Sequence, residues 1–437
     1  IDDPTYYSAI YAAEEADDWT SPETWAKANP NWGVSIQPEF LRQECDAALA
    51  SPTYQNTFRR LYLNQWCVIM GTMIAMADGT QKRVEELAAG EVIVSFDELT
   101  GELVHRRIRA VFDNGVHPIY KVTTKRGRIV ESTGNHPFWC RYGRPDSPKY
   151  GWVNASDIKE GDRVGVALGW PDCENRSGLT VRQAQLLGVM IGDGAMTDGS
   201  PRITTIDDGI LEFCRSMAVD FDVVLRPRGD HPAQWRFHKR VRGGRKKNGF
   251  KQWLEQQGVY GKNTYNKRVP DAVWRGDAAI WAAFLGGYLD TDGGVFDCHG
   301  NPSIVWVSAN RELLADCQQL LAMLGIQANL KIGRKTGFVS WRLEVHERRS
   351  IALCAEMLPL VHSEKKRKLR SADTTYNRHG IAALDRFRFD PVESVEMMAP
   401  QKTIGVEIKD THTHITNGLI THNTSQENRW IDMAAWD

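Results

Sequence analysis

The nine residues LLGVMIGDG at positions 186–194 recur as LGGYLDTDG at positions 285–293. Each copy has the pattern of an apolar helix end, with small residues midway and an acidic residue just before a closing glycine. Small residues allow two backbones to approach closely. The repeat therefore predicts a pair of helices that brings Asp193 and Asp292 together. Two neighbouring carboxylates are suited to hold divalent cations for phosphodiester hydrolysis.

Helix signals surround both copies of this repeat. Thr180 followed by Gln183 predicts a capped helix that runs into the first copy. Asp277 predicts the start of a second helix, with apolar residues at helical spacing up to the second copy. Residues 311–324 predict a third amphipathic helix, because Gly325 follows where helices commonly end. The region around the repeat is therefore expected to mix helices and strands.

Strand signals dominate on either side of this region. Short β-prone runs separated by turn residues precede it, with a predicted hairpin over residues 119–132. The same pattern returns from about residue 392 to residue 420. The sequence thus predicts a multidomain chain in which an all-β unit, residues 67–172 and 381–423, is split by an α+β unit at residues 173–380.

Charge is distributed unevenly along the chain. The 437 residues have a net charge of −1, yet residues 67–423 contain 49 basic and 42 acidic residues. Acidic residues outnumber basic ones in both flanks, residues 1–66 and 424–437. A basic insert in an acidic frame is the part in which nucleic-acid binding would be expected.

Composition excludes several classes of protein. Hydrophobic content of 42% and charged content of 25% are typical of globular proteins. No stretch approaches the roughly 18 consecutive apolar residues of a membrane span. Eight cysteines without a CxxC pair argue against a disulfide scaffold and a cysteine zinc site. We therefore expect a cytoplasmic protein with no membrane partner and, because it begins with Ile1, part of a longer chain.

Thiol, hydroxyl, imidazole and amide groups mark the two ends of the predicted all-β unit. They are Cys67, Thr133, His136, His412, His414, His422, Asn423 and Thr424. A thiol can attack the preceding peptide carbonyl, and an asparagine amide can cyclise onto its own carbonyl. A hydroxyl can accept the acyl group between these two events. Each residue alone is more often inert, but their order and their coincidence with both charge boundaries indicate backbone rearrangement.

These segments resemble the splicing blocks of inteins, which have the hedgehog/intein fold. The stretch CVIMGTMI at residues 67–74 resembles the first block, and TGNH at residues 133–136 looks like the T-x-x-H block. Residues 406–414, together with the closing residues 417–424, are similar to the two C-terminal blocks. The resemblance covers residues 67–423, a stretch of 357 residues.

The resemblance implies that the insert excises itself, beginning at its N-terminal end. Cys67 would attack the carbonyl of Trp66 and convert that peptide bond to a thioester. His136, with Thr133 beside it, would polarise the same peptide bond and protonate the departing amine. An ordinary thiol is only slightly ionised at neutral pH, so local activation of Cys67 is expected.

The remaining implied steps take place at the C-terminal end. Thr424 would attack the thioester and hold the acyl group as an ester. Asn423 would then cyclise and release the insert, assisted by His422 and His412, and a final shift would join Trp66 to Thr424. Splicing needs no metal or other cofactor in this scheme, because each step exchanges one acyl bond for another.

Three positions depart from the intein pattern. Gly71 stands where an aspartate is usual, and His414 replaces an aromatic residue. Gly405 stands where the C-terminal block often has an aspartate or cysteine that couples the steps. Splicing could therefore be slow, or it could use a substitute such as Asp410 to activate Cys67 or Thr424.

The repeat resembles the paired LAGLIDADG motifs of single-chain homing endonucleases, whose two halves each have the order αββαββα. This resemblance implies that Asp193 and Asp292 are catalytic and bind Mg²⁺ or a similar divalent cation. Lys267 resembles the lysine between the motifs, with an implied role in stabilising charge at the scissile phosphate. The implied partner is double-stranded DNA at the intein-less insertion site of this gene.

Basic clusters fit contact with DNA phosphates. The predicted DNA-binding residues are Arg226, Arg228, Lys239, Arg240, Arg242, Arg245, Lys246, Lys247 and Lys251. A second basic run at residues 365–370 is interpreted either as a solvated helix face or as a further DNA contact.

The flanks, residues 1–66 and 424–437, are interpreted as short, mainly helical host (extein) segments, the intramolecular substrate of splicing. The stretches ANPNWGVS at residues 28–35 and FRRLYLNQW at residues 58–66 resemble the segment after the ATPase part of phage terminase large subunits. This predicts a phage-infected or lysogenic bacterial cell as the location. An unrelated helical host protein is the alternative.

Three other functions remain open from the sequence. The insert could be a degenerate intein that only folds, or an autoprocessing domain that cleaves without ligating. Alternatively, DNA cleavage could be its one active function. Self-splicing separates the first two from an intact intein, and alanine at Asp193 and Asp292 tests the third.

Overall fold

The computed structural model describes residues 17–29, 31–34, 36–50, 58, 67–144, 147–171, 173–197, 199–229, 231–240, 247–298, 301–333, 339–372 and 387–422. The chain divides into two compact units. We call the unit formed by Ile1–Ala75, Lys82–Val166 and Phe389–Asp437 the β unit, and that formed by Met76–Gln81 and Ala167–Arg388 the α/β unit. The predicted multidomain chain of mixed α/β structure, with β-rich regions, is confirmed.

The elements are numbered in chain order. The strands are β1 (Val68–Ile69), β2 (Met73–Ala75), β3 (Gln81–Arg83), β4 (Val92–Asp97), β5 (Glu102–Thr124), β6 (Ile129–Thr133), β7 (Pro137–Arg144), β8 (Ser147–Asn154), β9 (Arg163–Ala167), β10 (Gly194–Ala195), β11 (Arg202–Thr204), β12 (Val223–Arg228), β13 (His231–Lys239), β14 (Gly293–Cys298), β15 (Asn301–Ser308), β16 (Asn329–Gly333), β17 (Ser340–Val345), β18 (Phe387–Ile408), β19 (Thr413–Thr416) and β20 (Leu419–His422). The helices are α1 (Pro22–Ala28), α2 (Pro38–Ala50), α3 (Val181–Gly192), α4 (Asp208–Asp220), α5 (Gly249–Gln256), α6 (Asp271–Trp274), α7 (Ala278–Asp292), α8 (Arg311–Met323), α9 (Arg348–Met357) and α10 (Ser363–Ser371).

The β unit is built on a sheet of twelve described strands. Eleven follow the order β3-β2-β19-β20-β7-β9-β18-β1-β6-β5-β4, and β8 pairs with β7. The predicted hairpin is present, because β5 and β6 pair antiparallel from Ile119 opposite Thr133 to Thr123 opposite Ile129. The two long strands β5 and β18 also pair antiparallel, although they lie on opposite sides of residues 167–388 in the sequence. This pairing joins the two halves of the β unit.

The α/β unit repeats one pattern twice. The order α3-β10-β11-α4-β12-β13-α5 is followed by α7-β14-β15-α8-β16-β17-α9. The first half has a four-stranded sheet of order β10-β11-β13-β12, and the second has β14-β15-β17-β16. In each half the helix that carries the sequence repeat leads directly into the first strand of its sheet.

The predicted helix ends of the α/β unit are confirmed. Thr180 and Gln183 form a reciprocal capping box at the start of α3. The side chain of Asp277 accepts a hydrogen bond from the backbone N–H of Ile280 at the start of α7. Helix α8 ends just before Gly325, which has a φ of +79° and so takes the left-handed conformation that favours glycine.

The described part of the N-terminal flank contains α1, α2 and a small core. Trp25, Leu41, Cys45 and Phe58 are buried in it, together with two alanines. The indole N–H of Trp25 donates to the carbonyl of Trp19 at 2.8 Å. Helical structure, as expected for this flank, is therefore present at Pro22–Ala28 and Pro38–Ala50. In the described part of the chain, no helix is long and apolar enough to cross a membrane.

Candidate functional site

Cys67 lies immediately before β1, with its backbone held by Thr133. The N–H of Cys67 donates to Thr133 Oγ1 at 3.4 Å, and the N–H of Thr133 donates to the Cys67 carbonyl at 3.1 Å. The buried thiol donates to Thr403 Oγ1 at 3.0 Å. Burial raises the pKa of the Cys67 thiol, and hydrogen bonds with Thr403, Asn114 and Thr133 oppose that rise. The thiol is therefore neutral at rest and needs help to react.

The structure shows the environment of Asp410, the suggested substitute for the residue missing at Gly405. Asp410 is exposed, with a carboxylate oxygen 4.0 Å from Arg106 Nε. Gly405 lies opposite Phe112 in the β5–β18 ladder. A hydroxyl that contacts the Cys67 thiol belongs to Thr403, which no sequence motif indicates. The sequence separation of 336 residues between the two explains why spacing could not reveal the pair.

Four histidines are buried in the β unit and form two ring contacts. The rings of His136 and His414 are 5.8 Å apart, and those of His412 and His422 are 6.4 Å apart. Burial lowers the pKa of His136 well below its usual value and that of His414 to about 3, with further lowering by neighbouring imidazoles. Neither ring of the first pair has a hydrogen-bond partner among the described residues. These two imidazoles are therefore neutral near pH 7.

A strained loop positions the second histidine pair. Asp410, His412 and Asn417 have φ angles of 69°, 54° and 47°. Residues other than glycine rarely adopt this left-handed backbone conformation. The loop is held by the hydroxyl of Thr413, which accepts from the N–H of Phe96 at 2.8 Å and donates to its carbonyl at 2.5 Å. Backbone strain of this kind costs about 1–3 kcal/mol per residue and concentrates at functional sites.

Three residues of the proposed splice junctions lie outside the described part of the chain. They are Trp66, Asn423 and Thr424. Their implied roles stay predictions, and the described site consists of Cys67, Thr133 and the histidines.

In the α/β unit, α3 and α7 cross backbone to backbone as the repeat predicts. A Cβ atom added at Gly188 would lie 2.1 Å from the carbonyl oxygen of Phe284, and one at Gly287 would lie 2.0 Å from that of Gln185. A Cβ at Gly192 would lie 3.3 Å from the backbone nitrogen of Asp292. The glycines therefore bring the C-terminal ends of both helices together.

Asp193 and Asp292 stand at these two helix ends. Burial raises the pKa of Asp193, while Lys365 and Lys267 oppose the rise. The pKa of Asp292 is raised to about 6 by burial and by repulsion from Asp193, again opposed by both lysines. The effect of Asp193 on Asp292, and of the same two lysines on both, indicates that the two carboxylates lie close enough to interact. Such a raised pKa is typical of carboxylates held for binding or catalysis.

Two lysines occupy equivalent places at the ends of the helix pair. Lys267 Nζ donates to the carbonyls of Ile191, Gly192 and Gly194 at 2.6, 3.3 and 3.2 Å. Lys365 Nζ donates to the carbonyls of Leu289, Asp290 and Thr291 at 3.0, 2.7 and 3.2 Å. Each ammonium uses its three protons on a helix C-terminus, where positive charge is favourable. Both lysines therefore supply charge to the carboxylate pair rather than a proton.

The segment before α10 is anchored to Asp290, and this positions Lys365 of α10 at the end of α7. Asp290 accepts hydrogen bonds from the backbone N–H groups of Val361 and His362 at 2.9 and 3.0 Å. Lys365 was interpreted from the sequence either as part of a solvated run or as a DNA contact, and the structure places it at the carboxylate site. The contacts of Lys365 with three carbonyls form only when the chain folds. The sequence therefore contained no sign that this lysine resembles Lys267.

The carboxylate pair suits a hard divalent cation. Among the described residues no cluster of three or more His, Cys, Asp or Glu side chains could enclose a metal ion. Mg²⁺ commonly uses only one or two protein carboxylates together with water and substrate phosphates. Asp193 and Asp292 therefore fit such an ion if DNA supplies the remaining oxygens. A bound cation would polarise the phosphate and neutralise developing charge.

Three arginines form a row across the first sheet. Arg236 on β13 lies opposite Arg202 on β11 and opposite Arg226 on β12. The row places three positively charged side chains on one face of the sheet, where they could contact an anionic partner. Phe237, next in β13, points to the other face, where its ring packs 4.3 Å from that of Phe250 in α5.

The predicted DNA-binding residues are distributed over both sides of this sheet. Arg226 belongs to the row, and Arg228 donates to Gln234 at 3.1 Å. Arg240 is 3.7 Å from Asp222, and Lys251 on α5 is 3.8 Å from Glu255. Lys239 ends β13 and Lys247 precedes α5, whereas Arg242, Arg245 and Lys246 lie outside the described residues. The sequence prediction missed Arg202 and Arg236 because cross-strand pairing is not visible in local spacing.

Comparisons with known proteins identify one family in part of the chain. Residues 280–359 match the LAGLIDADG-like domain family. Over 320 residues the chain is 27% identical to replicative DNA helicase DnaB of Rhodothermus marinus, which covers 70% of this chain and 33% of that protein. The chain thus spans about a third of the length of this curated relative.

Two solved structures are also similar to the chain. A DnaB intein from Synechocystis sp. PCC 6803 has a TM-score of 0.30 and 8% identity, over 83% of this chain and all of that one. Mesophilic variants of the homing endonuclease I-DmoI have a TM-score of 0.29 and 17% identity, over 42% of this chain and 97% of theirs.

The comparisons do not support a terminase as the host protein. The curated relative described above is named as a DNA helicase instead. Because the flanks together make up 80 of the 437 residues, a match over 70% of the chain lies mostly within residues 67–423. The similarity therefore concerns mainly the insert.

Proposed function

We propose that residues 67–423 are a self-splicing intein that excises itself and joins Trp66 to Thr424. The observation that supports this proposal most directly is the arrangement around Cys67. Its backbone is clamped by Thr133 of the T-x-x-H segment, and His136 from that segment contacts His414 near the other end of the insert. Residues from both ends are thereby brought together, as a two-junction reaction requires.

In this proposal Cys67 Sγ forms a bond to the carbonyl carbon of Trp66 while the C–N bond to Cys67 breaks. The sulfur loses its proton, and the departing nitrogen gains one with help from His136. Thr424 Oγ then displaces the sulfur, which regains a proton. Asn423 cyclises and frees the amine of Thr424, and that amine takes the acyl group from its own hydroxyl.

Intact mass spectrometry tests splicing in the full chain carrying tags at both ends. The expected products are a free insert of 357 residues and a joined flank product. Cys67→Ala with Asn423→Ala should give only precursor, whereas Cys140→Ala should splice, because it removes an equally buried thiol elsewhere in the β unit. Separate flanks without the joined product would indicate autoprocessing. Precursor alone, at every pH and temperature tried, would indicate a degenerate insert.

We also propose that the α/β unit is a divalent-metal-dependent endonuclease that cuts double-stranded DNA at the intein-less site. The arrangement of Asp193 and Asp292 with Lys267 and Lys365, each of which acts electrostatically on both carboxylates, supports this activity. Each carboxylate could hold a cation at one of two phosphates, while the neighbouring lysine balances negative charge. The arginine row offers contacts to the DNA backbone.

Cleavage of a plasmid that carries the joined flank-coding sequence tests the endonuclease. We expect two-strand cleavage with Mg²⁺ and none with EDTA. Asp193→Asn and Asp292→Asn should each abolish it, while Asp220→Asn at the exposed end of α4 should not. A plasmid interrupted by the insert sequence should resist cleavage. Cutting that survives both substitutions would rule out this site.

A further inference from the structure

Thr403 is a buried hydroxyl residue that touches the Cys67 thiol without belonging to any of the recognised splicing blocks. Cys67 Sγ donates to Thr403 Oγ1 at 3.0 Å, and Thr403 Oγ1 donates to the carbonyl of Gly115 at 3.1 Å. Because the single hydroxyl proton is directed at Gly115, a lone pair remains for the thiol. Both side chains are buried, so these bonds are formed in a low-dielectric environment.

A strand irregularity places this hydroxyl. In the β5–β18 ladder Lys402 pairs with Val116 and Ile404 pairs with Asp113, with a register shift between them. Thr403 is the residue at that shift, opposite the β5 stretch that contains Gly115. On its other side Thr403 pairs with Ile69 of β1, the strand that directly follows Cys67. Irregularities of this kind redirect a side chain and occur beside active sites.

We propose that Thr403 is a further catalytic residue of the acyl shift at Cys67, an inference that rests on the proposed splicing function. In the resting protein its oxygen holds the S–H group. As the sulfur loses its proton, the O–H of Thr403 turns from Gly115 to the thiolate, which then bonds to the Trp66 carbonyl carbon while the C–N bond to Cys67 breaks. The sulfur loses one proton, the departing nitrogen gains one, and Thr403 keeps its own throughout.

The surroundings of Cys67 explain why such a group is needed. Burial disfavours the charged thiolate, and Gly405 has no side chain that could compensate. A hydroxyl can accept from a thiol and then donate to a thiolate, so one side chain serves the sulfur before and during its ionisation. This exchange favours the state with negative charge on sulfur over the resting thiol.

The assay uses the full chain with Asn423→Ala and Thr424→Ala, which block the later steps of splicing. In this chain, cleavage after residue 66 by excess dithiothreitol measures thioester formation at Cys67 alone. We expect Thr403→Val to slow cleavage about tenfold and to move its pH profile to higher pH. Thr403→Ser should restore the rate and the profile. Thr416→Val is the matched control, since it removes a buried hydroxyl bonded only to Thr421 among the described residues. It should cleave at the unaltered rate.

The outcomes separate this inference from the splicing proposal. Equal rates for Thr403→Val and the unaltered chain would overturn the role of Thr403 and leave splicing intact. No thioester cleavage in the assay chain with Thr403 intact would overturn both proposals. The infrared S–H band of Cys67, assigned by difference from Cys67→Ala, should move to higher frequency in Thr403→Val. An unmoved band in a folded variant would overturn the contact itself.

Discussion

Lys365 donates to three carbonyls at the end of α7, as Lys267 donates to three around the end of α3, and two of the three positions correspond in the repeat. We therefore expect Lys365→Met to reduce single-turnover DNA cleavage by about 100-fold, because a positive charge beside the carboxylate pair is lost. Lys366→Met on the exposed side of α10 is the matched control and should change cleavage little. Equal activity of both variants would show that Lys365 serves only structure.

The carboxyl group of Asp292 predicts a conflict between stability and activity. Its folded-state pKa is raised to about 6, above its usual 3.8, so the folded protein binds this proton more tightly than the unfolded chain does. The resulting stabilisation is complete below pH 3.8 and is lost as pH rises through 6. In EDTA at pH 7.5, Asp292→Asn should therefore raise the free energy of unfolding by about 1–3 kcal/mol.

This gain should disappear well below pH 3.8, where the carboxyl is protonated in both states. Denaturant unfolding at the two pH values measures it, with Asp220→Asn as the exposed control. A stability gain that does not depend on pH would mean that Asp292→Asn changes stability through packing and not through charge.

The lysine pair also shows how far sequence could predict the site. Lys267 was found through a family pattern, whereas Lys365 sits in a basic run with no distinctive spacing. Asp193 and Asp292 could be predicted because their repeat encodes the close helix approach. Thr403 could not, because its contact depends on strand register over a separation of 336 residues. Local chemistry was readable, but partners created by folding were not.

At the level of elements, the α3–α7 crossing depends on glycines that face a backbone. Gly188→Ala should destabilise the α/β unit by about 1–3 kcal/mol or more, since the new Cβ would lie 2.1 Å from a carbonyl oxygen. DNA cleavage should fall with it, because the helix ends carry both carboxylates. Gly229→Ala, at a turn with nothing within 4 Å, is the control. Thermal unfolding of both variants measures this difference. Equal melting temperatures would contradict the close approach of the two backbones at Gly188.

The arginine row on the first sheet predicts a change in salt dependence. Arg236→Gln should weaken DNA binding and reduce the slope of log K against log salt by about one, because one phosphate contact is lost. Without DNA the same change should slightly stabilise the sheet by removing like-charge repulsion. Arg176→Gln, at an exposed residue paired with Glu174, should leave the slope unaltered. An unchanged slope for Arg236→Gln would place DNA elsewhere.

The element boundaries followed local rules well. The capping box at Thr180, the cap at Asp277 and the stop at Gly325 were predictable because each depends on a few neighbouring residues. The pairing of β5 with β18 was not predictable from either strand alone. Long-range pairing depends on which surfaces remain to be buried once local elements have formed.

For the whole molecule, the two compact units predict that the two proposed activities are separable. Cys67→Ala with Asn423→Ala should block splicing but leave plasmid cleavage within about twofold of the unaltered chain. Asp193→Asn with Asp292→Asn should do the reverse. The products of splicing are measured by intact mass and those of DNA cleavage by gel electrophoresis. Loss of both activities in either double variant would show that the units depend on each other.

The pairing of β5 with β18 also sets the order of events during translation. The ribosome must make all 222 residues of Ala167–Arg388 after β5 and before it completes β18. At roughly 5–20 residues per second this takes roughly 10 to 45 seconds, long enough for many domains of that size to fold. The β unit closes only afterwards. If the insert splices as proposed, every chain that excises it has already synthesised the complete α/β unit, and no spliced host protein is made without one.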